Sequence, residues 1–333
     1  MAGAAPGTQS GSMTPVEAYV DGFSWALGSR AQPVEAAAAA GLTVSAAADL
    51  RGAGFACHHV CGEDETAYDL ARAAVASAVA PGPVDAVVWA SALPVNENLA
   101  PAGRFAESGD VRDLMDFPAS RLVADPGLGL DGAVVFGLAQ QACTGMLGSI
   151  RLARALLAAE PDWERVLCVA ADRFPPGAHY EQSYCLVSDG AAACVVSRRP
   201  AVTGYRMVAA HHLTNGALAR AGDDETVGAW FGAMHRLVAE VCTRAGITPA
   251  GIDWIVPQNA HPAAWGVLIR LLGLDASRIA AHSLADVGHV ISADNAINLT
   301  YLERAGAVRR GDTLLLAMAG YGMHWQGLLL EKM

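Results

Sequence analysis

The sequence is short of charge, of basic residues and of unbroken apolar runs, and each shortage excludes a class of protein. Charged residues make up 17% of the 333, and 22 Lys and Arg against 33 Asp and Glu leave a net charge of -11. Nucleic-acid binding needs a basic stripe to neutralise phosphates; none is visible, so nucleic acid is not an expected partner. No stretch reaches the roughly eighteen consecutive apolar residues of a membrane span, so no membrane partner is expected either. Residues 1–13 have neither a basic start nor a long apolar core, which argues against a signal peptide. A disordered tail over residues 1–14 is expected, with Met13 nearer the structural start. Seven cysteines, an odd number without regular spacing, offer no disulfide framework and fit a reducing cytoplasm.

What is present is an enzyme-like composition, 53% apolar with 35 glycines, in a chain long enough to bury a large core. Apolar spacing predicts strands over Ala18–Phe23, Asp85–Ala90, Ala133–Phe136, Arg165–Ala170 and Ala193–Val196. Helices are predicted over Val34–Ala40, over Glu65–Ala80 and from Met146 onward. The second half repeats this order, with a helix at Val227–Ala245, a strand at Asp253–Val256 and helices at Pro262–Leu272 and Asn295–Ala305. It closes on strands at Thr313–Met318 and Gly327–Leu330. Two copies of one αβ order suggest two fused, similarly folded halves, residues 15–200 and 201–333.

Cys143 stands where the strand ending near Phe136 gives way to a helix whose apolar face is Met146, Leu147, Ile150, Ala153, Leu156 and Leu157. Unpaired amides and the positive dipole end at a helix start favour a thiolate. Small neighbours Ala142, Gly145 and Gly148 would let a substrate carbonyl approach. Cys143 is therefore either a nucleophile or a buried structural thiol, and the local pattern leaves both open. Cys57-His58-His59-Val60-Cys61 matches no common zinc spacing and no second ligand pair follows it, so no metal site is expected. Cys168 and Cys194 fall inside apolar strands as core thiols, and His211-His212 reads as a solvated pair.

Taken together, Ala142-Cys143-Thr144-Gly145, Arg165-Val166-Leu167-Cys168-Val169 and Ser188-Asp189-Gly190-Ala191-Ala192-Ala193 resemble three blocks of the thiolase superfamily. The nearest branch is β-ketoacyl-acyl-carrier-protein synthase III. Gly251 to Pro257, Gly288-His289 and Ala319 to Trp325 agree with it in order and spacing. The resemblance implies a thiolase fold, two similar αβ halves in a five-layered α-β-α-β-α architecture, with Cys143 as nucleophile. It also implies a homodimer paired through the first-half sheet. Its substrates would be acyl thioesters on a carrier protein or coenzyme A, with no further cofactor. The amide of Cys143 and the loop Gly320-Tyr321-Gly322 would form the oxyanion hole.

Two departures matter. The family's histidine after the Val-Pro block is Gln258 here, and its later asparagine is His289. Glutamine exchanges no proton near neutral pH, which counts against decarboxylative condensation. A cysteine, histidines and a carboxylate can still run acyl transfer. Gly288-His289 followed by Asp294 is similar to an acyltransferase offshoot of synthase III that loads natural-product acceptors in antibiotic and polyketide biosynthesis. The reading is thus an acyltransferase to a small hydroxyl or amine acceptor. A decarboxylating condensing enzyme and a silent partner subunit are the alternatives. Three histidines compete as base. His289, with Asp294 behind it, is best placed; His261 lies near the expected pantetheine channel; His324 has only its proximity to the glycine loop, where it would touch substrate.

Overall fold

The computed structural model describes residues 16–78, 82–96, 98–183 and 185–333; the expected tail and the last two residues of the expected Glu65–Ala80 helix lie outside them. Nine strands form the main sheet: β1 Tyr19–Leu27, β2 Ala86–Ala90, β3 Val134–Leu138, β4 Arg165–Asp172, β5 Gly190–Ser197, β6 Tyr205–Thr214, β7 Trp254–Val256, β8 Thr313–Gly320 and β9 His324–Lys332. The main helices are α1 Ala67–Ala78, α2 Gly145–Ala159, α3 Asp223–Ala245, α4 Pro262–Leu272 and α5 Asp294–Arg304.

The strand order is β7-β8-β9-β6-β1-β5-β4-β2-β3. Only Tyr19 with Arg206 and Val20 with Tyr205 pair β1 to β6, so the sheet is two half-sheets joined at a narrow seam. Side chains alternate across each strand, and this splits the core. Val87, Leu167 and Val195 face α1 on one outer side, whereas Val88, Cys168 and Cys194 face inward. Leu315 and Leu329 face α3 and α4 on the other outer side, whereas Leu314, Leu316 and Leu328 face inward. The inward faces enclose α2 and α5, giving the α-β-α-β-α layering of a thiolase fold. Each fully buried Leu, Ile or Val here contributes about 1.5–3 kcal/mol of transfer energy, so the central layer is the fold's main anchor.

One expectation changes. Ala133–Phe136 was expected as a buried strand, but β3 is the edge of the sheet, with Val134 46% and Val135 37% exposed. An apolar run can equally be an edge whose cover lies elsewhere. Residues 142–159 are, by length and composition, apolar enough to cross a membrane, although polar residues interrupt the run. They instead form the central helix and the turn leading into it, packed between the half-sheets.

Candidate active site

After β3 the chain reverses through Gln140 and Ala142, both left-handed, with φ of 67° and 43°. Such non-glycine conformations cost about 1–3 kcal/mol each and persist only where neighbours enforce them. Here Thr144 N and Oγ1 donate to Gln141 O at 3.0 and 2.7 Å. Gln326 Nε2 donates to Gln141 Oε1 at 2.6 Å, and Ser292 Oγ donates to Ala142 O at 3.1 Å. The result is a single tight turn, Ala142–Thr144, that presents Cys143 at the start of α2. Gly320, at the end of β8, closes over it: a Cβ there would stand 3.0 Å from both Cys143 N and Gln141 O. A side chain there would crowd the Cys143 turn and force it to give way.

His289 comes from the other half of the chain. Its amide donates to Leu186 O at 2.8 Å, and its carbonyl accepts from Ser188 N at 2.9 Å. Gly288 before it is left-handed at φ 64°, and a Cβ there would meet Leu186 O at 2.6 Å. Held this way, His289 Nε2 lies 3.4 Å from Cys143 Sγ and Nδ1 lies 2.6 Å from Asp294 Oδ2. A tight turn at Ile291–Ala293 brings the chain round, so Asp294 opens α5 and still reaches back to the imidazole. Asp294 is fully buried and also accepts from Asn259 N at 2.7 Å and Val290 N at 2.6 Å. A carboxylate that only accepts fixes the proton on Nδ1, leaving Nε2 of the neutral ring as a base facing the sulfur. Burial alone would lower the imidazole's pKa; the Asp294 charge, then the Cys143 sulfur, more than reverse this and hold it well above the ordinary histidine value.

A cavity of about 390 Å³ opens onto Cys143 and His289, with Trp230 and Phe231 of α3 and Val267 of α4 on its walls. Gln258 also lines it; its Oε1 accepts from Ala319 N at 3.1 Å, which turns the amide NH₂ the other way. Tyr321 is on the wall too, its hydroxyl 2.9 Å from Ser183 Oγ. His261 is at the rim, exposed, its Nδ1 accepting from Ala263 N to cap α4. His324 and Gly322 are not on the wall; His324 Nδ1 lies 3.1 Å from Thr214 Oγ1 on β6, and Gly322, φ 77°, makes the turn between β8 and β9. The structure thus brings Cys143, His289 and Asp294 into one hydrogen-bonded chain and leaves His261 and His324 outside it.

Sequence reasoning missed the buried amides behind the triad. Asn259 Nδ2 donates to Gly288 O at 2.8 Å and to Ser283 Oγ at 3.0 Å, and its Oδ1 accepts from Asn298 Nδ2 at 2.8 Å. The available signal was Asp294, Asn295 and Asn298 set among Ala296, Ile297 and Leu299 in the buried first part of one helix. Also missed was Cys185, a second thiol on the cavity wall; burial pushes it up to about 11, so it stays protonated.

Two family models, 3-oxoacyl-[acyl-carrier-protein] synthase III over residues 139–216 and its C-terminal model over 242–332, together match about half of the chain. The chain belongs to the synthase III family. A β-ketoacyl-[acyl-carrier-protein] synthase III of Chlamydia caviae is 28% identical over 243 residues, covering 65% of this chain and 72% of that protein. The synthase III structure from Pseudomonas aeruginosa PAO1 superposes with a TM-score of 0.78 at 23% identity, covering 95% of this chain and 98% of that one. The acyltransferase ChlB3 superposes equally well, TM-score 0.78 at 21% identity, covering 95% and 98%. In this synthase III chain the matched models span both Cys143 and the His289–Asp294 pair.

Proposed function

We propose that the protein is an acyltransferase. It takes an acyl group from a carrier-protein or coenzyme A thioester onto Cys143 and passes it to a small acceptor in natural-product assembly. The observation that carries this reading is the Cys143–His289–Asp294 chain in a cavity where Gln258 replaces the family's histidine.

The chemistry follows from the geometry. The Cys143 thiolate, paired with the His289 imidazolium, attacks the thioester carbon and forms a new C–S bond. The oxyanion is met by the amide of Cys143 and, on the family resemblance, an amide of the Gly320–Gly322 loop. The donor C–S bond breaks, and the departing thiolate takes the His289 proton. The acceptor's proton then moves to Nε2 as its heteroatom attacks the acyl carbon; the Cys143 C–S bond breaks, and His289 re-forms the ion pair with the released sulfur. Asp294 holds the tautomer and stabilises the imidazolium throughout. The exposed edge strand β3 supports a homodimer as the working form.

The names of the relatives favour a second reading, decarboxylative condensation. One experiment separates the two. Incubated with a labelled acyl thioester and an acceptor, the enzyme should return a product that keeps every donor carbon. Carbon dioxide released from a malonyl thioester in step with product would establish condensation instead.

A further inference from the structure

The cavity above Cys143 is mostly apolar. Among the described residues, no Asp, Glu, Lys or Arg lines it. Its polar groups are neutral amides and hydroxyls, such as Gln182, Ser183 and Thr226, together with His289 and the rim residue His261. Asp294 does not enter: it is fully buried behind His289, and His289, Val290 and Asn259 occupy its oxygens. A charged group arriving at Cys143 would meet only the Cys143–His289–Asp294 chain, whose charges are already matched to one another, and burying an unpaired charge is costly.

Gln258, on the wall beside Cys143 and His289, has an NH₂ group with no hydrogen bond among the described residues, as has Gln182 farther along the wall. The orientation of the Gln258 amide is not free, because Ala319 N claims its oxygen. We propose that the acceptor is an uncharged, largely apolar alcohol. Its hydroxyl proton points to His289 Nε2, and its oxygen accepts a hydrogen bond from Gln258 Nε2. Trp230, Phe231 and Val267 hold the remaining skeleton. This rests on the reading that the acyl group leaves Cys143 for an acceptor, and it narrows that acceptor from hydroxyl or amine to hydroxyl. At pH 7 an alkylamine of lysine-like pKa is neutral in only about one molecule in 2500, and a carboxylate of glutamate-like pKa in about one in 500. A free alcohol meets no such penalty. Gln258 is on this account a specificity residue, selecting charge state as well as orienting oxygen.

The test reads binding alone. The holoprotein is alkylated with iodoacetamide at pH 7, and modification of the Cys143 peptide is timed by mass spectrometry. Protection is titrated with 3-cyclohexylpropanol, 3-cyclohexylpropylamine and 3-cyclohexylpropanoate, which share one skeleton. The alcohol should half-protect at a concentration roughly tenfold or more below either charged analogue. Gln258→Glu keeps an oxygen for Ala319 N and adds an anion, so it should move the preference to the amine; Gln258→Leu should erase the alcohol's advantage. Equal protection of the wild type by the amine or the carboxylate, or none by the alcohol, overturns the proposal even if neither variant folds. Failure of the transfer reading itself would show differently, as an acylated Cys143 that no acceptor discharges.

Discussion

The Asp294 carboxylate accepts from His289, Val290 and Asn259, and this defines what each site substitution should do. Cys143→Ala should abolish the acyl adduct seen by intact mass after incubation with acyl thioester; an unchanged adduct would move the nucleophile elsewhere. His289→Ala should cut acceptor-dependent turnover by on the order of 10² to 10⁴, the usual loss with a positioned base, while His261→Ala should leave most of it. The reverse pattern would make His261 the base. Asp294→Asn has one oxygen for three donors, so it should weaken turnover, though less than His289→Ala. Its pH profile carries the sharper reading. Once Cys143 is acylated, His289 must be neutral to accept a proton, so turnover rises as pH climbs through its pKa. Asp294 raises that pKa. Removing the charge should shift the rising limb to lower pH. A limb that stays in place in Asp294→Asn would show that the carboxylate does not tune the base.

At the scale of elements, the site is where four pieces of chain meet: the turn before α2, the end of β8, the loop carrying His289 and the first residue of α5. Gly320 makes the contact between the end of β8 and the Cys143 turn, where a Cβ would stand 3.0 Å from Cys143 N and Gln141 O. Gly320→Ala should push β8 off Cys143, lowering the acylation rate by on the order of 10² to 10³, comparable with losing an oxyanion donor. Circular dichroism should stay native; an unaltered acylation rate would take Gly320 out of the oxyanion hole. Much of this arrangement was legible in the sequence. Apolar spacing predicts most second-half elements closely, Pro262–Leu272 at both ends, but misses β6, whose His211 and His212 read as a solvated pair and lie on the strand, the first half-buried and the second exposed. Cys143 stood out because a strand-to-helix turn is a local feature. The exposed edge of β3 was not legible, since Ala-Val-Val-Phe reads the same whether the chain or something else covers it. Nor was the meeting of Asn259 with Asn298, 39 residues apart in sequence, although the polar residues at 294, 295 and 298 marked one end of it. The choice among three histidines needed the fold as well, because Leu186 and Ser188 of the first half fix His289.

Over the whole molecule, two properties follow from groups away from Cys143. Asp172, at the end of β4, is buried, and its Oδ1 accepts from Ala92 N at 2.8 Å, Leu93 N at 3.0 Å, Ser91 Oγ at 3.0 Å and Asn96 Nδ2 at 3.3 Å. Burial outweighs these bonds and pushes it up to about 7. Between its ordinary value and about 7 the folded chain holds a proton that the unfolded chain has lost, so stability should fall as pH rises through that window. Asp172→Asn keeps the acceptor oxygen and cannot titrate; thermal melts from about pH 5 to 8 should therefore be flatter than wild type, and parallel curves would refute the assignment. The second property is assembly. β3 pairs with β2 on one side only among the described residues, leaving backbone groups on its other side open to a partner strand. The exposed side chains there are apolar: Val134 and Val135 on the strand, with Phe117 sharing a cavity wall with Val135. An edge of this kind is a liability in a monomer and an interface in a dimer. The wild-type protein should therefore run as a dimer in light scattering at micromolar concentration, and Val135→Lys, which places a charge on the edge, should run as a monomer. Because the Cys143 turn follows β3 directly, the monomer should also acylate more slowly. A wild-type monomer with full acylation activity would mean that the edge is closed by something other than a second copy, and that the turn holds its strained shape through Gln326, Thr144 and Ser292 alone.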